Sequence, residues 1–526
     1  MKNNIRYIAS ILIESESTIA VNSGDQSLLL DNVLARDANG LPYIPGTSIA
    51  GVFHHLYQSI YNAEDTHELF GCSQSDAEDK GGKKGEEKGS RLIFSSAHIT
   101  NADGKTICDG IFNLEEIDYF KKIMVTPERD HVKITDRGVG KKGNKFDREL
   151  LFKGTRFGFE IELVGEEKDK ASWDNLMKLL EHDLFRLGAG TRNGAGQIKV
   201  IGIKNITYDL TSKVELLDYL NKSSNLNNHV YEKINIADAL TKENTSDYQI
   251  QIKARDFILF GSSFPDKDAD NAPKKEKVIE WKNGKYEFKE KYLIPATSIK
   301  GALSHRTAFH YNRINQNFIG KSSSIDSSKY NLDIEGVLNE WEQKNTDGWS
   351  SDDARWDEEI TKVESKNFTE FIEQSEKVKG FKSETDYLKR IETAQDVGEN
   401  NAAVKLLFGC KKDSITEQGQ RGRILIEDIY LDTNKDKCVT HVFNHVKIDR
   451  FTGGAYDGAL FQEKALYYKD LITLNISIDK NYIDQESEVY KKSIEAFEAA
   501  LNDLKNGNLA LGGATTKGFG TFQTQS

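Results

Sequence analysis

Two glycine-rich segments contain the residue types that bind phosphate groups. Residues 188–196 read GAGTRNGAG, and residues 512–520 read GGATTKGFG. Glycine allows the backbone to approach a phosphate closely, and Arg192 or Lys517 would add a positive charge beside it. A dinucleotide-binding fingerprint opens a helix, whereas each of these segments follows a predicted helix and precedes a predicted strand. A helix cap with a tight turn is the alternative interpretation, and the two are compatible.

A basic segment between residues 131 and 148 favours contact with nucleic acid. It holds six Lys and Arg against two Asp, with glycines at positions 138, 140 and 143. A basic, flexible hairpin suits insertion beside bases, although charge runs are often ordinary solvated loops. The cations are Lys133, Arg137, Lys141, Lys142, Lys145 and Arg148.

Three histidines and a cysteine are close enough in sequence to be weighed as zinc ligands. His54, His55, His67 and Cys72 fall within 19 residues. Structural zinc sites show tighter paired spacing than this. Cys72 and Cys410 both follow the tripeptide LFG, and a small buried thiol explains both. We therefore do not predict a zinc site.

Charge and composition describe a globular chain without an evident exporting or membrane segment. The net charge is −12, but residues 331–400 hold 19 Asp and Glu against nine Lys and Arg, so the rest carries only −2. Net charge therefore does not argue against an RNA partner, because polyanion contact depends on local basic faces. The four cysteines form no CxxC pair, and no stretch approaches 18 apolar residues. We expect a cytoplasmic protein.

An internal repeat organises the chain. Four landmarks occur in the same order in both halves: 43–51 with 293–301, 69–72 with 407–410, 131–137 with 445–450, and 187–196 with 511–520. Such ordered self-similarity indicates a tandem duplication. We predict a first domain at 1–210, a linker at 211–245 and a second domain at 246–526. The second domain carries an acidic, helical insertion at about 315–400, by landmark counting.

The apolar periodicity of each half predicts the element order β-α-β-β-α-β. In the first half, strands are predicted at 5–21, 91–98, 151–164 and 197–201, with helices capped by Thr47 or Ser48 and at 172–187. In the second half, strands are predicted near 247–260, 421–430, 466–478 and 515–523, with helices near 297–312 and 488–506. The predicted fold class is therefore α+β, with two tandem ferredoxin-like (RRM-like) domains.

These landmarks resemble the RAMP superfamily of CRISPR effector proteins. The shared features are an IPGTSIxG-type segment opening a helix at 44–51 and a C-terminal glycine loop on a ferredoxin-like fold. Within the superfamily, the chain is most similar to the backbone subunits of type III complexes, as two fused copies. The resemblance covers most of residues 1–208 and 246–526, apart from the insertion. It implies binding to a CRISPR guide RNA, complementary target RNA and other RAMP subunits, without a membrane.

The resemblance also implies cleavage of the target RNA. In type III backbone subunits, an aspartate upstream of the IPG motif is needed for metal-dependent cleavage, within a pattern of an Asp, five residues and another Asp. Asp31 takes the cleavage position here, and Asp37 is interpreted as structural. RNA can be cut by its own 2′-hydroxyl once that oxygen is aligned with the phosphorus. Asp31 is thus the expected catalytic residue and ligand of a divalent metal, Mg²⁺ or Mn²⁺, in a metal-dependent endoribonuclease.

The second copy departs from this pattern. No Asp-x5-Asp precedes Pro295, and Ala296 replaces the glycine of the first motif. Asp266, Asp268 and Asp270 lie in a longer loop, and their spacing selects none of them. We predict one active site, in the first half, and leave the state of the second copy open.

The resemblance extends to RNA contacts. The basic hairpin of each copy would be a thumb that interrupts the guide–target duplex, and helix N-termini favour phosphate. The candidates for RNA binding are Ser48, Lys133, Arg137, Lys141, Lys142, Arg192, Ser298, Lys300, Arg306, Arg450 and Lys517.

Two other functions stay open from the sequence. The chain could be a catalytically silent RNA-binding scaffold, in which case cleavage would survive loss of Asp31. It could also be a guide-processing endoribonuclease that uses His54 or His55 as general base. Cleavage driven by a histidine should survive EDTA, so metal dependence separates this class from the first.

Overall fold

The structure is a computed structural model that describes residues 3–24, 31–72, 87–101, 105, 107, 110, 111, 113, 114, 117–135, 138–223, 226, 244–262, 265–317, 398–411 and 419–524, without the side chains of residues 141–143. The chain forms two compact units. The larger takes in Met1–Ala302, Arg423–Asp484 and Asn502–Ser526, and the smaller takes in Leu303–Gly422 and Gln485–Leu501.

Among the described residues, the first half of the chain contains eight β-strands and five α-helices. They are β1 (Ile5–Ser15), β2 (Tyr43–Ile44), α1 (Gly46–Ile60), α2 (Ala63–Phe70), β3 (Leu92–Phe94), β4 (Ala97–Ile99), α3 (Asp118–Met124), β5 (Glu128–Ile134), β6 (Gly140–Glu149), β7 (Arg156–Gly165), α4 (Lys170–Lys178), β8 (Ile198–Asp209) and α5 (Lys213–Leu220).

The described part of the second half contains eleven strands and three helices. They are β9 (Thr245–Ala254), β10 (Lys275–Lys282), β11 (Lys285–Ile294), α6 (Ala296–Ile314), α7 (Ala402–Phe408), β12 (Gly409–Cys410), β13 (Gln420–Arg421), β14 (Ile424–Ile426), β15 (Ile429–Asp432), β16 (Cys438–Ile448), β17 (Ala455–Tyr468), β18 (Ile472–Asp479), α8 (Glu488–Lys505) and β19 (Phe522–Gln523).

A six-stranded antiparallel sheet forms the core of the first half. Its order is β2-β4-β7-β1-β8, and β3 also pairs with β7. The alternating apolar residues of β7 are buried, and Phe159 lies opposite Ile11 of β1. Phe53 of α1 and Trp173 of α4 are fully buried in the same core. Burial of one sheet face under two amphipathic helices is therefore what stabilises this half.

The second half contains a sheet with a matching strand order. Its order is β14-β18-β9-β19, and Leu474 of β18 lies opposite Ile250 of β9. When β3 and β4 together are taken as the second strand of the first half, both sheets run second, third, first, fourth. Mixed α/β architecture with small antiparallel sheets thus describes both halves.

Two hairpins and a three-stranded sheet lie outside the central sheets. β5 pairs only with β6, and β16 pairs only with β17, among the described strands. β10, β11 and β15 form the third sheet. The two hairpins occupy the segments that the sequence analysis expects to be thumbs.

Several sequence-based boundaries need correction. Pro45, not Thr47 or Ser48, is the N-cap of α1, because the helix begins at Gly46 and the Ser48 N–H already donates to the Pro45 carbonyl at 2.9 Å. β1 ends at Ser15 rather than near residue 21. The strand expected at 515–523 is confined to Phe522–Gln523. Nearly all of the predicted insertion, residues 318–397, lies outside the described residues.

Candidate functional site

The loop that contains Asp31 lies along the base of the first hairpin. Asn32 forms a parallel bridge with Arg148 of β6, and the Glu149 N–H donates to the Asn32 carbonyl at 3.0 Å. The Asp31 N–H donates to Oδ1 of Asp147 at 2.8 Å, and the Asp147 N–H donates to Oδ2 of Asp31 at 3.2 Å. This reciprocal pair binds each carboxylate to the backbone of the other residue, with Asp31 exposed to solvent and Asp147 partly exposed.

The two carboxylates have the donor chemistry of a magnesium or manganese site. Asp31 Oδ1 and Asp147 Oδ2 accept no hydrogen bond from the described residues. Mg²⁺ is commonly held by one or two carboxylates, with waters and substrate phosphates completing the shell. Within the described ranges, no group of three or more His, Cys, Asp or Glu side chains is arranged to hold a metal. The two carboxylates therefore fit a metal whose remaining ligands come from outside the described residues.

Glu149 holds the loop in place behind Asp31. Its buried carboxylate accepts the Leu34 N–H at 2.8 Å and forms an ion pair with Arg36. Asp37 accepts two backbone N–H groups of the turn that follows it, at 2.8 and 3.0 Å. Carboxylates bonded in this way stabilise tight turns, so these two acids position the loop while Asp31 stays exposed.

Arg148, the residue after Asp147 on β6, is a half-buried cation on the hairpin face that also carries Phe146. No carboxylate among the described residues pairs with its guanidinium, and its Nε is buried without a hydrogen-bond partner there. A Cβ placed on Gly190 would lie 2.7 Å from Arg148 Nη1, so the guanidinium packs directly on the first glycine loop. Burial lowers the pKa of Arg148. The ring of Phe146 lies 5.7 Å from its guanidinium carbon.

His131 lies next to this arginine on the paired strand. Its ring stacks on Phe146 with centroids 4.9 Å apart. Burial, followed by the charges of Arg148 and Arg129, lowers the pKa of His131 to about 4. His131 is therefore uncharged at neutral pH and does not compete with Arg148 for an anion.

A buried ion network anchors the base of the first hairpin. The Arg129 guanidinium donates to Glu276 of β10 at 2.6 and 2.7 Å and to Asp428 at 2.6 Å. Asp428 also accepts the Ala296 N–H at 2.8 Å, at the first residue of α6. Burial opposes the charge of Arg129, but Asp428 and Glu276 raise its pKa above the ordinary value. The network joins the first hairpin to second-half strands.

The base of the second hairpin repeats the backbone pattern of the first. Asn271 forms a parallel bridge with Glu463 of β17, as Asn32 does with Arg148. The Gln462 N–H donates to Oδ2 of Asp270 at 2.8 Å, as Asp147 donates to Asp31. The Lys464 N–H donates to the Asn271 carbonyl at 2.8 Å, as Glu149 donates to Asn32. The hydrogen-bond register therefore makes Asp270 the equivalent of Asp31.

The neighbouring segments follow the same register. The His445 ring stacks on Phe461 with centroids 4.8 Å apart, as His131 stacks on Phe146. In the glycine loops, Gly190 and Ala514 both have left-handed backbone conformations that precede a one-turn 3-10 helix. The equivalent residues are thus fixed by many independent contacts. Asp266 and Asp268 instead bind the Lys464 ammonium.

The side chain at the position of Arg148 is reversed in charge in the second half. Glu463 is 8% exposed, and its carboxylate accepts the Lys517 ammonium at 2.7 Å. His445 Nε2 lies 2.9 Å from the same carboxylate oxygen. A buried carboxylate therefore occupies the place that a guanidinium takes in the first half.

A family model matches most of the chain in two separate regions. The RAMP superfamily model matches residues 13–199 and again residues 286–523. The chain belongs to the RAMP superfamily. Among solved structures, a chain from the cryo-EM structure of type III-B Cmr-beta bound to cognate target RNA is 15% identical, with a TM-score of 0.26; the match covers 38% of this RAMP chain and 61% of that chain. No curated protein matches the sequence.

The other candidate residues of this RAMP chain are distributed over several surfaces. Arg192 binds Asp479 at 2.8 Å, and Lys300 donates to Asn193 at 3.2 Å. Ser48 and Ser298 lie in the first turns of α1 and α6, and Arg306 lies over the ring of Phe309. Lys133 is partly exposed on β5, and Arg450 is exposed at the end of the second hairpin. Arg137 and the side chains of Lys141 and Lys142 lie outside the described residues.

No sequence pattern marks Asp147, and Arg148 is one of six cations in the hairpin segment. A signal for the second-half equivalents was present, since the dipeptide Asp-Asn occurs at both 31–32 and 270–271. In the described residues, no metal cluster forms around His54, His55, His67 or Cys72. No described helix has the length and apolar character needed to cross a membrane.

Proposed function

We propose that this chain is a guide-RNA-binding backbone subunit of a type III CRISPR ribonucleoprotein that cleaves complementary target RNA at Asp31. In this proposal, the two halves are ferredoxin-like RAMP modules fused end to end. Membership of the RAMP superfamily over two regions supports two modules. The shared strand order of the two central sheets, which is the order of the ferredoxin-like fold, supports the same reading.

The hairpins supply surfaces suited to single-stranded RNA. Val132 and Ile134 are exposed on the first hairpin, between cations. Phe451 is fully exposed at the end of the second, and Lys447 lies over the ring of Tyr456. Exposed apolar and aromatic side chains beside cations stack on bases and separate them. We therefore assign the hairpins to the guide–target duplex.

The observation that carries the cleavage proposal is the hydrogen-bonded pair of exposed Asp31 and partly exposed Asp147 at the base of a basic hairpin. These carboxylates would hold a divalent metal, which supplies charge stabilisation at the phosphate. A strand forced out of its stack by the hairpin can align its 2′-hydroxyl with the adjacent phosphorus. The 2′-oxygen then bonds to phosphorus as the bond to the 5′-oxygen breaks. The products are a 2′,3′-cyclic phosphate and a 5′-hydroxyl end, which takes up the proton.

Cleavage of a complementary target by the purified full chain with its co-purified RNA tests the proposal. We expect short, uniform, repeat-tagged guide species in that RNA, and loss of target cleavage in Asp31→Asn and after addition of EDTA. Asp174→Asn is a matched control, because it removes an exposed helical carboxylate whose partner is Lys170. Guide binding without any target cleavage by the unaltered protein would favour the silent scaffold. Cleavage that survives both EDTA and Asp31→Asn would favour a guide-processing enzyme.

A further inference from the structure

The equivalent positions 148 and 463 differ in charge although the backbone around them is the same. Each residue follows the one whose N–H binds the loop aspartate, and each bridges the asparagine after that aspartate. We propose that Arg148 binds the phosphate of the target RNA beside Asp31, and that Glu463 keeps a phosphate away from Asp270. This inference rests on the proposed function. It assigns an anion-binding site to the first module and states that the second module lacks that site.

The surroundings of Arg148 suit the binding of an anion. A half-buried guanidinium is costly unless it is paired, and most such groups in proteins have a carboxylate partner. Arg148 has none among the described residues, and its Nε is buried without an acceptor there. By contrast, Arg129, which lies opposite Arg148 across the hairpin, is fully satisfied by two carboxylates.

Gly190 gives the guanidinium its room. A Cβ at this position would approach Arg148 Nη1 to 2.7 Å, and Gly190 has a positive φ of 75° that suits glycine. The glycine loop therefore forms one wall beside the arginine, and the Asp31 loop forms another. Arginine presents a planar fork of donors that matches two phosphate oxygens, which lysine cannot reproduce.

Glu463 presents the opposite chemistry in the second module. Its buried carboxylate is already neutralised by Lys517, and His445 lies against the same oxygen. A phosphate at this place would face a buried negative charge. The Lys517 ammonium that could attract it is engaged with Glu463, so the second module lacks the anion site even though Asp270 sits as Asp31 does.

The decisive experiment compares Arg148→Gln, Arg148→Lys and Arg6→Gln in the full chain with its RNA. Arg6 is the matched control because it lies near the start of β1, on a separate strand, and already pairs with Glu162 at 3.5 Å. We expect Arg148→Gln to slow target cleavage about 100-fold, the usual effect of losing one donor to a transition-state oxyanion. Arg148→Lys should recover only part of the rate, and Arg6→Gln should cleave as the unaltered protein does.

Two further readouts separate phosphate binding from a structural role and from failure of the proposed function. The dependence of target-RNA affinity on salt should lose about 0.7 in log–log slope in Arg148→Gln, the value for one single-strand phosphate contact. The melting temperature should not fall, because the change removes a half-buried charge that no carboxylate of the described residues pairs with. An unaltered salt slope and cleavage rate in Arg148→Gln would overturn the inference. Absence of cleavage by the unaltered protein, with the slope still reduced, would overturn the nuclease but leave the phosphate site.

The reciprocal variant tests the second half of the inference. Glu463→Arg should raise the salt dependence of target affinity and increase protection of the target phosphate opposite Asp270 in a footprint. Glu463→Gln, which removes the charge without adding a donor, should give a smaller increase. If neither variant changes the protection, Glu463 does not exclude phosphate and that assignment fails.

Discussion

The bases of the two hairpins share a backbone and differ in side-chain charge. In each half, a strand N–H binds the loop aspartate. The residue that supplies this N–H and the two residues after it are Asp147, Arg148 and Glu149 in the first half, and Gln462, Glu463 and Lys464 in the second half. The strand N–H groups that bind the loop aspartate and the carbonyl of the next asparagine are the same in both. Packing of the loop against the hairpin is therefore a property of the fold, whereas the chemistry depends on three successive side chains. Among the described residues, the first half has a carboxylate followed by a cation at these positions, and the second half has an amide followed by a carboxylate.

The anchors of the two hairpins differ in the same way. Arg129 in the first hairpin is equivalent to Phe443 in the second, two residues before His131 and His445 respectively. Arg129 is held by buried carboxylates, while the Phe443 ring packs 5.2 Å from Phe257 and 4.9 Å from Phe519. One hairpin is thus secured by charge and the other by apolar contact.

Removal of Arg129 should have the largest effect on stability. Arg129→Met leaves Glu276 and Asp428 buried without their bidentate cationic partner, with only Lys274 at 3.9 Å from Glu276, so we expect the free energy of unfolding to fall by about 3–5 kcal/mol in denaturant titrations. The triple variant Arg129→Met, Glu276→Gln, Asp428→Asn removes the orphaned charges and should recover most of the loss. A loss below about 1 kcal/mol in the single variant would mean that the network does not anchor the hairpin.

His131 should make the stability pH-dependent. Its folded pKa of about 4 lies below the ordinary 6.5, so the unfolded chain takes up the proton first as the pH falls. Stability is therefore lost between about pH 6.5 and pH 4, by at most about 3 kcal/mol from this group. His131→Gln should flatten the difference in unfolding free energy between pH 7 and pH 4. An identical pH profile in the variant would show that His131 titrates normally.

Arg148→Gln should raise the His131 pKa in NMR titrations, because the charge of Arg148 lowers it.

Loss of the second carboxylate should weaken cleavage without weakening RNA binding. Asp147→Asn retains the backbone N–H that binds Asp31 and removes one negatively charged ligand of the proposed metal. We therefore expect cleavage to slow about 100-fold at low Mg²⁺. Excess Mg²⁺ should restore part of the rate, since the defect lies in metal affinity. Gln462→Ala, at the equivalent second-half position, is the matched control and should leave cleavage unchanged. An unaffected rate in Asp147→Asn would limit the metal site to Asp31.

Exchange of the glycine-loop residues should have the smallest effect. Gly190→Ala introduces the residue that the second half has at Ala514, in the same left-handed conformation. We expect a loss of about 1–2 kcal/mol in unfolding free energy, together with slower cleavage because the new Cβ displaces Arg148. Ala514→Gly should change stability by less than this and leave cleavage intact. Wild-type cleavage by Gly190→Ala would separate Arg148 from the glycine loop.

Much of the architecture could be predicted from local patterns. The alternating apolar residues of β7 and the amphipathic spacing of α1 follow from burial on one face, and the four repeated landmarks identify two copies. The N-cap of α1 was placed two or three residues late because Pro45 starts the helix without a side-chain cap. Local chemistry therefore fixed the elements but not their ends.

The equivalence of Asp270 and Asp31 could not be found by counting back from the IPA turn, which repeats the IPG turn of the first half. Between Asp31 and Pro45 there are 13 residues, but between Asp270 and Pro295 there are 24, because the hairpin of β10 and β11 lies in between. Counting from the end of the preceding strand would have worked, since 16 positions separate Ser15 from Asp31 and Ala254 from Asp270. Long-range hydrogen bonds set the spatial register, and this register identifies Asp270 as the equivalent of Asp31.

Contacts between residues far apart in the sequence could not be predicted, for the same physical reason. Arg129 meets Glu276 and Asp428 at separations of 147 and 299 residues, and no local pattern marks these acids as its partners. Arg148 packs on Gly190 only because two loops fold onto one strand. Charge runs in a sequence show how many cations a hairpin has, but only tertiary packing shows which cation lacks a partner.

Mapping of cut positions on one long complementary RNA tests the central claim most directly. The unaltered protein, Asp31→Ala and Asp270→Ala would each be incubated with the same end-labelled target and Mg²⁺, and the ends would be resolved at single-nucleotide level. We expect Asp31→Ala to lose the cuts while still binding the target, and Asp270→Ala to retain every cut. Persistence of all cuts in Asp31→Ala, or their loss only in Asp270→Ala, would contradict a single nuclease site in the first half.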